Sequence, residues 1–507
     1  MSEGNGSAVL DPRAARRALQ NARGKQKLEL ILGAPNPEQL VAALPPEELY
    51  FALLDIGPDD APELVSMSSP EQFRHFVDMS AWRGADEGPR TAQVLRWLRL
   101  AREGGGDLAK FRRQLWSLDI ELLALVLRRE LRVHDLTEEE PPPPHNPGMA
   151  YYTPDRRFLL EFTGSGEYAM VRQLIEDLYA QDPFGAGRLI ESIRWEVPTE
   201  LEESARRWRD GRLRDAGVPE LEEAVSFYAR PAVRPAQPQG EASAAALAVP
   251  SGPLLDAALD RLGGEELDRA EESIVYAANA ALVANRVPLD DADEVREHLR
   301  DARATLSLGL ELLSGGDPAR AARILVDTPI RSVFQAAMGE AYRLQARARS
   351  IAAQARLPQA QTATILDEPL ESVVQGLSRQ RPMFHEPGQR RPRALASRFE
   401  VARVESLLDE ADATLALLAA LGLTVAELGR QAEQAGLGPA VVKGSVALRA
   451  LVESRLRGEP FSLRGATDEP GKHPPAFAAK LDELLREEAA DDASRRARQR
   501  LRASINR

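Results

Sequence analysis

Four polar side chains in the second half of the chain have types and spacings that could form one binding site. Glu272, Tyr276 and Asn279 occupy the i, i+4 and i+7 positions of a predicted helix and therefore share one face. Arg331 opens a later predicted helix, two residues after Pro329. If these four side chains converge between helices of residues 254–420, they could bind a small polar molecule, as in a sensor or an enzyme. The alternative is a buried hydrogen-bond network that fixes helix register, because neighbouring alanines allow close packing.

Two arginine-rich stretches are the candidates for binding an anionic partner. Five arginines between Arg379 and Arg393 surround Phe384, and five more lie between Arg495 and Arg502. The loop could bind phosphate or RNA, or it could pair with acidic residues of the same chain. The whole sequence has 65 Lys and Arg against 78 Asp and Glu, a net charge of −13. Because no overall positive field results, nucleic acid is not the partner we expect.

Composition and motifs exclude several chemistries. The sequence has no Walker A, GxGxxG, HExxH or GxSxG motif, and its six histidines are scattered. It has no cysteine, which rules out thiolate nucleophiles, cysteine zinc sites and disulfides and is typical of a reducing cytoplasm. We therefore predict no catalytic residue, cofactor or metal site, and a cytoplasmic location.

The sequence also predicts no membrane span. Residues 1–7 are polar and Gly-rich, unlike the apolar segment of a secretory signal. The most apolar stretch, residues 415–426, is shorter than the roughly 18 to 20 residues that cross a bilayer.

The elements that must position these residues are mainly helices. Pro46, Pro58 and Pro70 are each followed by acidic or amide residues, as at the first turn of a helix, and they are spaced by 12 residues. Helices this short must cover one another's apolar faces, so Leu53 and Phe73 should be buried in an N-terminal solenoid. Two aromatic-rich runs flank Pro154-Asp-Arg-Arg and predict a β-hairpin near residues 151–162, with the only strands we expect.

The predicted fold class is mainly α, with the N-terminal short-helix solenoid, the small hairpin and a C-terminal helical bundle. A chain of 507 residues is too long for one core, so two or three domains are expected. Composition divides it as follows: a flexible basic N-terminus, 1–27; a helical superhelix, 28–137; a Pro-rich spacer, 138–147; a hairpin with helices, 148–229; a Pro- and Ala-rich linker, 230–253; a helical domain, 254–453; and a polar charged tail, 454–507.

Several motifs resemble a known family. The run from Tyr276 to Leu282, the Leu366-Asp-Glu-Pro motif and the Arg194-Trp195-Glu-Val-Pro turn resemble an uncharacterised bacterial domain-of-unknown-function family. No activity comes with that resemblance. Residues 46–77 are also similar to the short-helix superhelical module of MgtE magnesium transporters and of the flagellar switch protein FliG. That likeness implies an armadillo-like module for protein interaction or regulation.

Three functions are compatible with these observations. The leading hypothesis is a soluble intracellular helical scaffold or adaptor that binds other proteins, because the solenoid spacing comes without any catalytic motif. The first alternative is a small-molecule sensor or enzyme that uses the polar residues of 254–420. The second is nucleic-acid binding through the two arginine-rich stretches. The sequence makes no prediction of the oligomeric state.

Overall fold

The computed structural model describes most of the chain, and it divides into two compact units. Unit 1 is Met1–Glu223 with Leu282–His298, and unit 2 is Ala224–Ala281 with Leu299–Arg507. Large parts of the predicted basic N-terminus, spacer, linker and charged tail fall outside the described residues, so the predicted domain map stays a prediction. The described residues are 22, 24–82, 88–105, 107–138, 143–144, 146–164, 166–230, 253–358, 360, 363–464, 475–486 and 491–505.

Within the described residues, unit 1 begins with eight short helices, four of which start at a proline. Proline is favoured there because its missing N–H would have no partner in the first helical turn. The position of the second predicted start is wrong: Pro58–Asp60 forms only a 3-10 turn, and the helix begins at Pro62. The helices are α1 (Lys25–Leu32), α2 (Pro37–Ala43), α3 (Pro46–Ile56), α4 (Pro62–Met67), α5 (Pro70–Ser80), α6 (Thr91–Glu103), α7 (Leu108–Leu115) and α8 (Ile120–Glu130).

These helices stack in a regular order. Each packs against the next but one in the sequence, from α1 on α3 through to α6 on α8. Leu53 of α3 and Phe73 of α5 are fully buried, as the sequence predicts. Tyr50, Phe76 and Trp97 form an aromatic cluster in the same core, and the indole N–H of Trp97 donates to Ser80 Oγ at 2.6 Å. The stacking order is the one that a short-helix superhelix requires.

Two buried glutamines bind the ends of the shortest helices. Nε2 of Gln72, on α5, donates to the carbonyls of Val41 (2.8 Å) and Leu44 (2.7 Å) where α2 ends. Nε2 of Gln114, on α7, donates in the same way to the carbonyl of Val65 (3.0 Å) where α4 ends. The last carbonyls of a helix have no partner within it, so each glutamine completes a helix that lies deep in the stack.

A three-stranded antiparallel sheet follows the stack. Its strands are β1 (Leu131–Asp135), β2 (Ala150–Tyr152) and β3 (Phe158–Phe162), and β3 lies in the middle. The predicted hairpin is confirmed as β2 and β3, whereas the expectation of only two strands is wrong. Leu131, directly after the end of α8, is extended (φ −146°, ψ 156°) and pairs with Phe162. The added strand arises because β3, buried on both faces, accepts a second neighbour.

Three further helices complete unit 1 up to the point where the units divide. They are α9 (Tyr168–Gln181), α10 (Pro183–Trp195) and α11 (Pro198–Asp215), followed by a short helix α12 (Leu221–Ser226) that contributes residues to both units. Arg212 of α11 donates to both carboxylate oxygens of Asp78 (2.8 and 2.9 Å) and to Asp119. Burial raises the pKa of Asp78, and the hydrogen bonds from Arg212 offset only part of that increase. This ion network fixes α11 on α5 and α8.

Unit 2 is mainly helical, with isolated β-bridges between Arg356 and Thr364 and between Phe384 and Arg393. The long α17 packs on α18 and α19, and α19 in turn packs on α23 near the C-terminus. Phe477 and Leu501, from the predicted charged tail, are buried in this core. The helices, of which α14 and α15 also contribute residues to unit 1, are α13 (Pro253–Leu259), α14 (Glu265–Ala284), α15 (Ala292–Ser314), α16 (Pro318–Asp327), α17 (Ile330–Ala355), α18 (Leu370–Ser378), α19 (Arg398–Ala420), α20 (Val425–Ala435), α21 (Gly444–Arg457), α22 (Pro475–Leu484) and α23 (Asp492–Ile505).

Within the described ranges, no single helix has the length and apolar composition needed to cross a membrane. The bent pair Arg398–Ala420 and Val425–Ala435 meets those two criteria only when taken together, with an angle of 69° between the helices.

The buried glutamines generate a first testable prediction. In Gln72→Met the side-chain volume is retained, but the carbonyl of Leu44 loses its donor and the carbonyl of Val41 keeps only the backbone N–H of Leu44. The backbone N–H of Ser69 also loses its acceptor, Oε1 of Gln72. Leaving buried polar groups without a partner costs about 1–3 kcal/mol, so the free energy of unfolding of unit 1 should fall by that amount in urea titrations. Gln39→Met, at an exposed position of α2, is the matched control. Equal effects of the two substitutions would contradict the assigned role of Gln72.

His75 makes the stability of unit 1 depend on pH. Burial lowers the pKa of this histidine to about 4, and no described residue is bonded to its Nε2. In the unfolded chain the pKa is about 6.5, so between pH 6.5 and 4 the unfolded state binds more protons and stability falls as the pH falls. The full loss is about 3 kcal/mol. Urea titrations at pH 7 and 4.5 should show that the free energy of unfolding falls less in His75→Met than in the wild-type protein. Equal decreases in the two proteins would show that His75 is not the cause of the pH dependence.

Candidate protein-interaction surface

The outer face of α10 exposes two large aromatic side chains. Phe184 and Trp195 are 78% and 63% exposed. They are 11 residues apart, so they lie on the same face of the helix and about 16 Å apart along its axis. The opposite face packs on α8, α9 and β1 through four buried residues: Ala186, Leu189, Ile190 and Ile193. The chain thus keeps α10 in place while leaving one full face of it uncovered.

Arg128 fixes the C-terminal end of α10. Its Nη1, on α8, donates to the carbonyls of Ile193 (3.0 Å) and Glu196 (2.7 Å), which have no partner within the helix. Trp195 and the exposed Val197 lie on the turn that these bonds hold. The position of the exposed indole is therefore set by a partly exposed side chain of α8.

The N-terminal end of α10 is fixed as firmly. The carboxylate of Asp182 accepts hydrogen bonds from the backbone N–H groups of Phe184 (3.1 Å) and Gly185 (3.0 Å). A Cβ at residue 185 would lie 2.8 Å from Cη2 of the Trp116 ring, so only glycine fits there. Because both ends of the helix are held, its exposed face loses little entropy on contact with a partner.

Charged side chains accompany the two aromatics. The guanidinium of Arg194 stacks on the indole of Trp195, 4.4 Å from the ring centroid, and pairs with Glu138 at 2.7 Å. Between the aromatics, Arg188 and Glu191 lie on the same helix face. Glu191 is paired with Arg157, whereas Arg188 is exposed and has no ionic partner among the described residues. The face therefore presents an aromatic group at each end and one uncompensated cation between them.

The four residues of the predicted polar site lie on α14 and α17. Glu272 is exposed, Tyr276 is half-buried and Asn279 is buried. The Tyr276 ring packs against Phe227, at a centroid distance of 6.0 Å, and Arg331 Nη1 lies 3.4 Å from Ser226 Oγ. Tyr276 and Arg331 thus border the same segment of unit 2, Ala224–Arg230. The binding site that the four would form stays a prediction.

That segment is anchored on α17 by main-chain and aromatic contacts. Gln335 donates to the carbonyl of Ser226 (2.8 Å), and the hydroxyl of Tyr342 donates to the carbonyl of Tyr228 (2.6 Å). Arg381, from the predicted basic loop, stacks on the Tyr228 ring at 4.1 Å. The polar groups near the predicted site therefore hold the chain's own backbone.

Many arginines of the two basic stretches are paired within unit 2. Arg391 donates to Asp301 at 3.3 Å, and Arg393 donates to Glu400. In the C-terminal stretch Arg500 is bonded to Glu410, whose side chain is buried. The sequence left two alternatives for these arginines: an anionic ligand or acidic residues of the same chain. In the structure, Arg391, Arg393 and Arg500 contact acidic residues of the same chain.

A second polar cluster joins α18 to the start of α21. The carboxylate of Asp367 accepts hydrogen bonds from the backbone N–H (2.9 Å) and hydroxyl of Ser445. Nearby, Lys443 donates to Glu371 (2.6 Å) and to the carbonyl of Thr364 (3.0 Å). Burial raises the pKa of Asp367, and its bonds to Ser445 oppose that increase. Each charged group named here has a partner, so the role of the cluster is structural: it holds α21 against the start of α18.

The fold and this surface define a mainly α protein with stacked short helices, one small antiparallel sheet and an exposed aromatic helix face. Among the described residues, no three His, Asp or Glu side chains are grouped so that they could hold a metal ion.

The chain belongs to a family of unknown function, DUF6178, whose model matches residues 6–506. The resemblance to a domain-of-unknown-function family is thereby confirmed. No curated protein and no solved structure matches the chain.

Sequence reasoning missed the outer face of α10, although its signal is present. Phe184, Arg188, Glu191 and Trp195 follow the i, i+4, i+7, i+11 spacing of one helix face. A second, more apolar face with Leu189 and Ile190 runs along the same helix. Only the structure shows which face is buried.

The role of Arg128 is testable by hydrogen exchange. Arg128→Met retains the aliphatic contacts on α8 but removes the donor to Ile193 and Glu196. Amide exchange in residues 193–197 should become about tenfold faster, since about 1.4 kcal/mol of local stabilisation is lost. Arg129→Met, at the exposed neighbouring position, should leave these amides unchanged. No change in either variant would show that the turn is held by other contacts.

Proposed function

We propose that this protein is a cytoplasmic helical scaffold or adaptor that binds another protein through the outer face of α10. The observation that carries the proposal is the exposure of Phe184 and Trp195 on one helix whose two ends are held by hydrogen bonds from Arg128 and to Asp182. Aromatic side chains and arginine are enriched at protein interfaces, and this face carries two aromatic side chains about 16 Å apart with an arginine between them. Tryptophan and arginine are also the residues that most often dominate binding energy in protein interfaces.

The charge distribution also supports a protein partner. The chain has a net charge of −13, and Arg393 and Arg500, one in each basic stretch, are bonded to carboxylates of the same chain. A continuous basic surface, as nucleic-acid binding needs, has no support from these contacts. The aromatic face of α10 is suited instead to desolvated contact with another protein surface.

Photo-crosslinking from the helix face tests the proposal. With p-benzoylphenylalanine in place of Phe184, irradiation of cells that naturally make the protein should give one discrete adduct with another protein, identified by mass spectrometry. The same photo-reactive group in place of Phe399, an exposed phenylalanine of α19, is the control. Absence of an adduct specific to position 184 would overturn the proposal. An adduct made only of two copies of this chain would replace the adaptor function with self-association.

Substitution of Trp195 measures its contribution to binding. Trp195→Ala should weaken binding of the captured protein about 30-fold, because a tryptophan that becomes buried in an interface contributes about 2 kcal/mol or more. Melting should change little, since the side chain is largely exposed. The matched control is Trp208→Ala, which removes an equally exposed tryptophan from α11. Isothermal titration calorimetry gives both affinities; similar losses would show that binding does not use α10 specifically.

A further inference from the structure

We infer that the partner contacts α10 with an amphipathic helix that carries an acidic residue at its centre. This inference rests on the proposed function and specifies the kind of partner. Its basis is the set of exposed groups on the face, which runs from Phe184 through Arg188 to Trp195. An acidic residue, Asp182 or Glu196, lies at each end of the helix, so the central cation has an aromatic side chain and then a carboxylate on either side.

The charge at the centre of the face is the specific feature. Glu191 shares this position with Arg188, but its carboxylate is bonded to Arg157 of unit 1. The guanidinium of Arg188 is therefore the one exposed charge between the aromatics without a counter-ion among the described residues. A partner that covers it must supply a carboxylate, because a buried unpaired cation opposes binding. At the two ends, the carboxylates of Asp182 and Glu196 favour a cation.

The shape of the face favours a helix over an extended segment. Between the two rings the N–H and C=O groups of α10 are bonded within the helix, so this part of the face offers a partner only side chains. An extended segment would leave its own backbone groups unpaired against such a surface. A helix has no such cost, and its side chains pack between the ridges of another helix. The distance of about 16 Å between the two rings corresponds to three turns of the partner, with apolar residues at i, i+3 or i+4, i+7 and i+11.

Two synthetic helical peptides test the inference. Both carry leucines at the spacing above; the first has glutamate at the centre and lysine at each end, and the second has these charges exchanged. Fluorescence anisotropy of the labelled peptides against the full-length protein should show about tenfold tighter binding of the glutamate-centred peptide. Arg188→Glu should reverse the preference, and Arg188→Gln should abolish it. Trp208→Ala should leave it unchanged, and raising the salt concentration should reduce it.

Two outcomes overturn the inference. One is equal affinity of both peptides for the wild-type protein, and the other is no binding of either peptide up to the millimolar range. Circular dichroism of each Arg188 variant checks that the exposed substitution leaves the fold intact. If the peptides fail while crosslinking at position 184 still captures a partner, only the helical, acid-centred partner is excluded. Loss of that crosslink overturns the proposed function itself.

Discussion

The stack of unit 1 depends on how its shortest helices satisfy their last carbonyl groups. A helix of six or seven residues, such as α4 or α2, has more backbone groups without an internal partner than with one. At the surface water would bind them, but these helix ends lie inside the stack. Gln72 and Gln114 supply the missing donors from the helices that follow. Each glutamine amide can reach these carbonyls only when its own helix and the helix it binds are correctly aligned with each other. The glutamines therefore specify the packing of the helices as well as stabilise it.

The same arrangement determines what the surface of unit 1 presents. Arg128 on α8 does for the end of α10 what Gln72 does for the end of α2, by donating to carbonyls that the helix leaves open. Its position in turn depends on the stack below, since α8 packs on α6. A charged donor is tolerated here because the turn at Trp195 faces solvent, whereas the deeper helix ends are bound by neutral amides. The rigidity of the aromatic face is thus a consequence of how the core is built.

Sequence reasoning predicted the kinds of elements better than their exact limits or exposed faces. Prolines at helix starts and the strands of the hairpin follow local rules, and most were placed correctly. Pro58 obeys the same rule but begins only a 3-10 turn, because the chain uses Pro62 for the next helix. Strand β1 was missed because Leu131 continues an apolar helical pattern, and its extended conformation results from pairing with Phe162. Pairing between distant segments is a tertiary effect that local propensity does not contain.

The charged residues show why the candidate surface could not be found from sequence alone. An arginine-rich stretch and an isolated arginine look different in sequence, and sequence reasoning selects the stretch as the ligand site. In the folded chain Arg393 and Arg500 bind carboxylates of their own unit, while Arg188 faces solvent between two aromatic rings. Pairing decides which cation is available, and pairing depends on contacts between residues as far apart as Arg500 and Glu410. A functional surface of this kind consists of side chains that the fold leaves without a partner. They can be recognised only when the pairing of the other charged side chains is known.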